Sequence, residues 1–291
     1  MNELITPKQV ARAIQVSESS VKRWCDKGVI PTQRTPGGHR RIGLAGLMEF
    51  LRESRQMLVR PEVLGLPATT GRTSRVIDRA VGQLVTALVR GDDEQCRQIA
   101  LDLYLAEHSL STIFDQVFAP AFESIGNRWE CGDVEVYQER RACEISLRVL
   151  HDLRTLIPVP PTDSPLAIGG VVEGDKYNLG TTMAELVLRD GKWNAISLGS
   201  NLPFPTLAEA IKHHRPRWFL VSCSFIRDEP AFLRGYSELY EEFGLDVAFV
   251  VGGRSLVESV RQQMKYAAYC DNMAHLEACA QTLRGASGRA S

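Results

Sequence analysis

Polar residues and glycines that could bind a ligand follow three apolar runs in the C-terminal half of the chain. "EGDKYNLG" (173–180) follows one run, "SCS" (222–224) a second, and Gly252-Gly253 ends a third. If these runs are parallel strands, their carboxyl ends share one edge of a sheet, where such sheets bind ligands. The candidate pocket residues at this edge are Asp175, Tyr177, Gly180, Ser222, Ser224, Gly252 and Gly253.

Cationic side chains near the N-terminus form a second group of candidate binding residues. Thr6 can cap a helix that begins at Pro7, and Ser17 can cap a second helix shortly after the first ends. This pattern predicts a helix-turn-helix, and the glycines in "RTPGGHRR" (34–41) predict a tight turn between the two strands of a wing. A recognition helix beside an arginine-bearing wing suits phosphate contacts and insertion into the minor groove of DNA. The predicted DNA-binding residues are Ser19, Ser20, Lys22, Arg23, Arg34, His39, Arg40 and Arg41.

The charge distribution separates this basic end from the rest of the chain. Residues 1–55 contain ten Lys and Arg against five Asp and Glu, a local charge of +5. Because the whole chain has a net charge of −1, the remaining residues carry −6. A basic module on a mildly acidic body indicates one part that binds a polyanion and another that binds something else.

The elements that position these residues follow from the apolar periodicity. Residues 76–157 repeat apolar side chains at helical spacing, with breaks that divide them into four helices, which predicts a four-helix bundle. After the proline-rich connector 158–165, five apolar runs alternate with helical stretches, which predicts a Rossmann-like α/β domain with a five-stranded parallel sheet. The predicted order is a winged helix-turn-helix (1–55), a linker (56–75), a four-helix bundle cap (76–157), an α/β domain (166–284) and a disordered tail (285–291).

Residues 4–52 resemble the DNA-binding domain of MerR-type regulators, and "TPGGHRR" is the most specific part of that match. Residues 166–284 resemble the cobalamin-binding domains of methionine synthases and mutases. Those domains carry Asp-x-His-x-x-Gly, then Ser-x-Leu, then Gly-Gly at the spacing found here, and "SLGSNLP" (197–203) also looks like this family. In the family, serine, threonine and the glycine pair line a slot for the nucleotide tail of the cofactor.

The bundle extends the resemblance to light-responsive, cobalamin-binding transcription repressors. Trp129 followed by Glu139 is similar to the Trp…Glu-His signature of those proteins, which have the same order of modules. The resemblance implies that Trp129 packs over the upper face of the corrin, and that Glu139 and Arg140, at the positions of the Glu-His pair, lie on the same side. It also implies that the loop after the first strand supplies the lower cobalt ligand.

The sequence departs from this pattern at the ligand positions. Tyr177 replaces the lower histidine, Arg140 replaces the upper one, and Ser224 replaces the leucine of the second motif. A phenol with a pKa near 10 is a poor cobalt ligand compared with a neutral imidazole. Asp175, which would orient that histidine, therefore lacks its partner. For cobalamin, we therefore predict no metal ligand from the protein and no binding through a histidine.

Four interpretations of the pocket remain open. It binds cobalamin without a protein ligand, or it binds another tetrapyrrole such as a haem or a bilin, with Arg140 pairing with a propionate and a tyrosine ligating ferric iron. Alternatively, it binds a different small molecule, or it is an empty scaffold that mediates assembly or docks a partner.

Together, these observations predict a sequence-specific transcription regulator, a repressor, whose C-terminal modules control its oligomeric state. Its expected partners are double-stranded DNA, a second copy in a dimer or tetramer, and a tetrapyrrole; light is the signal that the resemblance implies. A cobalamin-dependent methyltransferase or mutase component is the competing class, but such enzymes need a large substrate domain. A phosphoreceiver would need an aspartate after the third strand, where this chain has "SCS". We therefore expect no enzymatic activity and no catalytic residues.

Composition sets the remaining limits. A chain of 291 residues can form two or three domains, and no apolar stretch approaches the ~20 residues of a membrane span. The N-terminus lacks the pattern of a signal peptide. The seven cysteines include no Cys-x-x-Cys pair, which indicates a reducing, cytoplasmic environment. Cys143 and Cys223 lie in apolar surroundings and are predicted to pack in the core.

Overall fold

The structure is a computed structural model that describes residues 4–54, 56–66 and 74–287. The chain divides into two compact units, and the boundary falls after Val159. Among the described residues, no helix combines the length and the apolar character needed to cross a membrane.

The first unit begins with a small α/β module. Its three strands form an antiparallel sheet in the order β1-β3-β2. Thr6 and Gln9 form the predicted capping box, and the Ser17 hydroxyl accepts a hydrogen bond from the N–H group of Ser20 at the start of the second helix. The elements are β1 (Leu4–Ile5), α1 (Pro7–Ala13), α2 (Glu18–Asp26), β2 (Thr32–Arg34), β3 (Arg40–Gly43) and α3 (Leu44–Ser54).

The core of this module is formed by α1, α2 and α3. Val10 and Val21 are fully buried between α1 and α2. Trp24 packs against Phe50 of α3, with ring centroids 5.0 Å apart. The turn between β2 and β3 needs Gly38, which has a φ of +78°.

Part of the predicted linker is structured, which corrects the sequence interpretation. Residues Pro61–Leu64 form a 3-10 turn, and the N–H groups of Val59 and Arg60 donate to the carbonyl of Ala13 at the end of α1. The turn packs on α1 because Pro61 and Leu64 bury apolar side chains there. Residues 67–73 of the predicted linker lie outside the described residues.

Four helical segments follow, as the periodicity predicts. The third segment changes from α to π geometry at residues 114–118, where the N–H group of Ala119 donates to the carbonyl of Phe114. Pro120, whose nitrogen has no hydrogen to donate, follows one residue after this stretch. The helices are α4 (Ser74–Arg90), α5 (Asp93–Leu105), α6 (Leu110–Ile113) continuing through the π-helical stretch into α7 (Ala119–Glu130), and α8 (Val136–Arg154).

The second unit contains the predicted five-stranded parallel sheet, in the order β5-β4-β6-β7-β8. Its strands are β4 (Leu166–Val171), β5 (Asn194–Ser197), β6 (Trp218–Ser222), β7 (Ala248–Gly252) and β8 (Ala268–Cys270). Its helices are α9 (Leu179–Asp190), α10 (Phe204–His214), α11 (Glu229–Phe243), α12 (Glu258–Arg261) and α13 (Met273–Ser287).

Two apolar clusters fill the space on either side of this sheet. One contains Trp193 and Trp218, stacked 4.9 Å apart, together with residues of α9 and α13. The other contains Phe219 and Phe249 with residues of α10 and α11. The predicted disordered tail begins too early, because α13 continues to Ser287; residues 288–291 lie outside the described residues.

Candidate functional site

The second helix presents the residues predicted to read DNA. The side chains of Ser19, Lys22 and Arg23 are exposed on α2, and Ser20 is half-buried. The Ser19 and Ser20 hydroxyls lie 2.8 and 2.9 Å from that of Ser17, and the Lys22 ammonium lies 2.8 Å from the Glu18 carboxylate. Such exposed contacts are weak enough for DNA groups to replace them.

The hairpin of β2 and β3 carries the other predicted DNA-binding residues, Arg34, His39, Arg40 and Arg41. They differ in how strongly contacts within the protein hold them away from DNA. The Arg40 guanidinium binds the carboxylate of Asp26, at the end of α2. Nε and Nη2 donate to Oδ1 at 3.0 and 2.7 Å, and Nη2 also donates to Oδ2 at 2.9 Å. Arg34 reaches the same carboxylate at 3.4 Å. His39 is exposed at the turn, and Arg41 is half-buried.

A cleft of about 160 Å³ lies at the carboxyl edge of the parallel sheet. Five of the predicted pocket residues line it: Gly180, Ser222, Ser224, Gly252 and Gly253. Sequence reasoning missed the wall formed by the end of β8 and the start of α13, although "YAAYC" followed by polar residues obeys the same strand-end rule. The missed lining residues are Ala184, Leu220, Cys270, Asp271, Asn272, Met273 and Leu276.

The three glycines of this cleft are needed for different reasons. A Cβ on Gly252 would lie 2.7 Å from the carbonyl oxygen of Cys270, and Gly253 has a φ of +108° with the backbone of Cys223 against it. Both therefore serve the packing of the chain on itself. A Cβ on Gly180 would meet only the Ser222 hydroxyl, at 3.6 Å, so this position leaves space for a ligand.

Asp175 does not line the cleft; it joins two loops. Its side chain is fully buried. Oδ1 accepts a hydrogen bond from the N–H group of Tyr177 (3.0 Å), and Oδ2 accepts from those of Ser224 (2.5 Å) and Phe225 (3.0 Å). The carboxylate thus ties the loop after β4 to the loop after β6, and both of its oxygens are engaged by backbone.

Tyr177 is half-buried at the same edge and also lies outside the lining of the cleft. The guanidinium of Arg254, which follows the glycine pair, lies 5.9 Å from the centre of its ring. This is a cation–π arrangement on an exposed edge. Within the described residues, no group of three His, Cys, Asp or Glu side chains could hold a metal ion.

A second, larger cleft of about 280 Å³ lies where the loops after β4, β5 and β6 meet the first turns of α10 and α11. Val172, Phe204 and Phe232 provide apolar lining, and Glu173 and Arg227 provide charge. None of the predicted pocket residues lines it.

The other predicted ligand-binding residues belong to the first unit. Trp129, near the end of α7, is half-exposed. On α8, the Arg140 guanidinium lies 3.4 Å from the Glu139 carboxylate, which also accepts a long hydrogen bond (3.6 Å) from the Cys143 thiol. Burial, together with the nearby Glu139 charge, raises the pKa of Cys143 to about 12. Cys143 is half-buried, whereas Cys223 is buried as predicted.

Comparison with known proteins supports two of these modules separately. Residues 4–55 match the family described as "Helix-turn-helix domain", and residues 81–153 match the family described as "B12 binding domain". The second match falls on helices α4–α8. No curated protein matches the chain significantly.

Similar solved structures include corrinoid and cobalamin-binding proteins. The monomethylamine corrinoid protein of Methanosarcina barkeri is 17% identical, with a TM-score of 0.60 over 71% of this chain and 99% of that one. A cobalamin-binding protein of Desulfitobacterium hafniense DCB-2 is 16% identical, with a TM-score of 0.38 over 69% and 97% of the two chains. At such identity, the first likeness establishes a shared fold: helices followed by a five-stranded parallel sheet flanked by helices.

The residues present fit part of a corrinoid site. The cleft beside Gly180 offers an apolar floor, two serine hydroxyls and bare backbone, which suits a flat or extended group. The position that the resemblance assigns to a cobalt ligand does not fit, because Tyr177 bears a phenol and the Asp175 carboxylate is already engaged by three backbone N–H groups.

Proposed function

We propose that this protein is a DNA-binding transcription regulator, a repressor, whose other modules sense a corrinoid or another tetrapyrrole. One observation carries the proposal: a single chain joins a match to a helix-turn-helix family (residues 4–55) to a match to a B12-binding family (residues 81–153). We propose no enzymatic activity, and the protein acts in the cytoplasm, where DNA is accessible.

In this proposal, α2 is the recognition helix and the hairpin of β2 and β3 is the wing of a MerR-type domain. Exposed Lys22 and Arg23 on α2, with Arg34 and His39 on the hairpin, support contacts with phosphates and groove edges. A module this small binds weakly alone. Two copies on adjacent half-sites bind far more tightly, because the second contact occurs at a high effective concentration.

The proposed sensor holds its ligand without an axial bond from the protein. The cleft beside Gly180 holds an extended part of the ligand. A bound tetrapyrrole would supply visible absorption, and light is the signal in the repressors that the chain resembles. Ligand binding then favours dimer or tetramer formation and thereby controls the DNA affinity.

Two measurements test this proposal. Selection of bound duplexes from a random library should enrich one sequence with two half-sites. Addition of hydroxocobalamin, in darkness and in light, should change both the visible spectrum and the mass measured by light scattering. Failure to enrich any sequence contradicts the regulator, and an unchanged spectrum and mass contradict the cobalamin sensor.

One observation favours a second candidate, an empty scaffold that mediates assembly or docks a partner. Gly252, Gly253 and Asp175 all have roles in the packing of the chain itself, so their presence does not require a ligand. Sequence-specific DNA binding without any spectral or thermal response to cobalamins or haem would support this candidate.

A further inference from the structure

The Asp26 carboxylate is the point where α2 and the hairpin are joined by side chains. Arg40 makes three contacts with it, of 2.7 to 3.0 Å, from both Nε and Nη2. The Arg40 side chain is only 24% exposed. The Arg34 side chain, whose guanidinium lies 3.4 Å from the Asp26 carboxylate, is 62% exposed. Arg40 is therefore held firmly, and Arg34 is held loosely.

This geometry differs from that of an ordinary surface ion pair. A forked guanidinium that contacts both carboxylate oxygens fixes direction as well as distance. The pair also links segments 14 residues apart, since Asp26 ends α2 and Arg40 begins β3. The Lys22–Glu18 pair, by contrast, lies within one turn of α2 and links nothing else.

Beside a DNA backbone, breaking this pair carries an electrostatic cost. If Arg40 moved to a phosphate, it would leave the Asp26 carboxylate facing a polyanion with Arg34 as its only cation among these contacts. Like charges at an interface are unfavourable, so the cost of exposing Asp26 opposes the gain from one phosphate contact. Arg41 donates to the carbonyl of Arg40 and can approach a phosphate without that cost. Arg34 can do so at a smaller cost, because it contacts Asp26 only at 3.4 Å while Arg40 keeps that carboxylate neutralised.

We propose that Asp26 is a positioning residue that fixes the hairpin against the recognition helix through Arg40, so that Arg40 acts inside the protein and not on a DNA phosphate. This rests on the proposed DNA-binding function and deepens it: the hairpin's phosphate cations are Arg34 and Arg41, and the geometry of the hairpin depends on a carboxylate.

The test compares the salt dependence of DNA binding in the full-length protein and its variants. The affinity K falls as the salt concentration rises, and each phosphate contact contributes about 0.9 to the steepness of log K against log salt. Loss of one contact therefore reduces the fall in affinity between 50 and 200 mM salt by about 3.5-fold. Arg41→Ala should reduce the steepness of the salt dependence by about one phosphate contact, which is about 0.9. Arg40→Ala should weaken DNA binding and leave the steepness of the salt dependence unchanged. Asp26→Asn should make the salt dependence steeper, because it frees Arg40 to contact a phosphate. Glu53→Gln, which removes an exposed carboxylate on α3, controls for the change in net charge.

Hydrogen exchange without DNA tests the positioning role independently. The hairpin amide of Thr35 donates to the carbonyl of His39 at 2.9 Å. Asp26→Asn and Arg40→Ala should both accelerate exchange of this amide, and Glu53→Gln should not.

Two results would overturn the proposal: a slope loss for Arg40→Ala equal to that for Arg41→Ala, or hairpin exchange unaffected by Asp26→Asn. If no duplex binds even at low salt, the proposed DNA-binding function fails, and the exchange measurement still decides whether Asp26 holds the hairpin.

Discussion

Gly180 and Gly253 line the same cleft, yet substitutions at these positions should have opposite consequences. Gly180 lies in α9 with open space before it, whereas Gly253 has a positive φ and meets the backbone of Cys223. The first position therefore reports on ligand binding, and the second reports on folding.

Gly180→Leu should abolish binding of hydroxocobalamin and leave the fold at least as stable as wild type. A leucine would fill the cleft, and replacing a helical glycine by a better helix former is favourable by about 0.5–1 kcal/mol. Spectral titration measures the binding, and urea unfolding measures the stability. Gly253→Ala is the matched comparison and should lower the free energy of unfolding, since no L-residue fits there without strain.

Tyr177→His should increase the affinity for hydroxocobalamin, because a neutral imidazole is a cobalt ligand and a phenol is a poor one. The gain should disappear as the pH falls through about 6.5, where the imidazole takes up a proton and loses its free lone pair. Spectral titrations at pH values above and below this midpoint measure the gain in affinity and its loss.

Tyr177→Phe is the control for that substitution. It keeps the ring beside Arg254 and removes the hydroxyl, so its affinity should equal that of wild type. A large loss of affinity in the phenylalanine variant would show that the phenol oxygen itself binds the ligand.

At the scale of elements, the loops after β4 and β6 depend on one buried carboxylate. Asp175→Asn would place an amide NH2 group against backbone N–H donors that now share two acceptor oxygens. We expect the free energy of unfolding to fall by about 2–4 kcal/mol, because hydrogen bonds to a charged group are each worth about 1.5–3 kcal/mol.

Urea denaturation of the full-length chain measures that loss. Glu173→Gln, at an exposed position of the same loop, should change the stability by less than about 0.5 kcal/mol. Equal effects of the two substitutions would contradict a structural role for Asp175.

At the scale of the whole molecule, the seven cysteines differ in burial: three are buried, three are half-buried and one is exposed. Burial raises the pKa of Cys96, Cys223 and Cys270 to about 12, and Cys131 is exposed. A thiol with a raised pKa contains little of the reactive thiolate at pH 8.

Titration of the native protein with a disulfide reagent at pH 8 should therefore modify Cys131 first, with the three buried thiols reacting only on unfolding. Peptide mass spectrometry at successive times identifies the modified residues. Denaturation in urea should expose all seven cysteines and serves as the reference. Early modification of Cys223 would show that the sheet opens in the native state.

Local patterns in the sequence determined most of the architecture. Capping at Thr6 and Ser17, helical spacing of apolar side chains in the bundle, and five short apolar runs each act over neighbouring residues, so they can be read without knowing the fold. Five of the residues selected from these patterns line one cleft, because the carboxyl ends of parallel strands share an edge. They did not reveal the turn at Pro61–Leu64, whose order comes from packing against α1.

Only the tertiary structure decided what several polar residues do. Asp175 and Arg40 have the residue types of ligand-binding groups, yet each is engaged by a partner distant in sequence: Ser224 for the first and Asp26 for the second. The sequence by itself determined that these charges exist and which element carries them. Which atoms satisfy a buried or half-buried charge depends on contacts between distant segments, and local spacing does not encode those contacts.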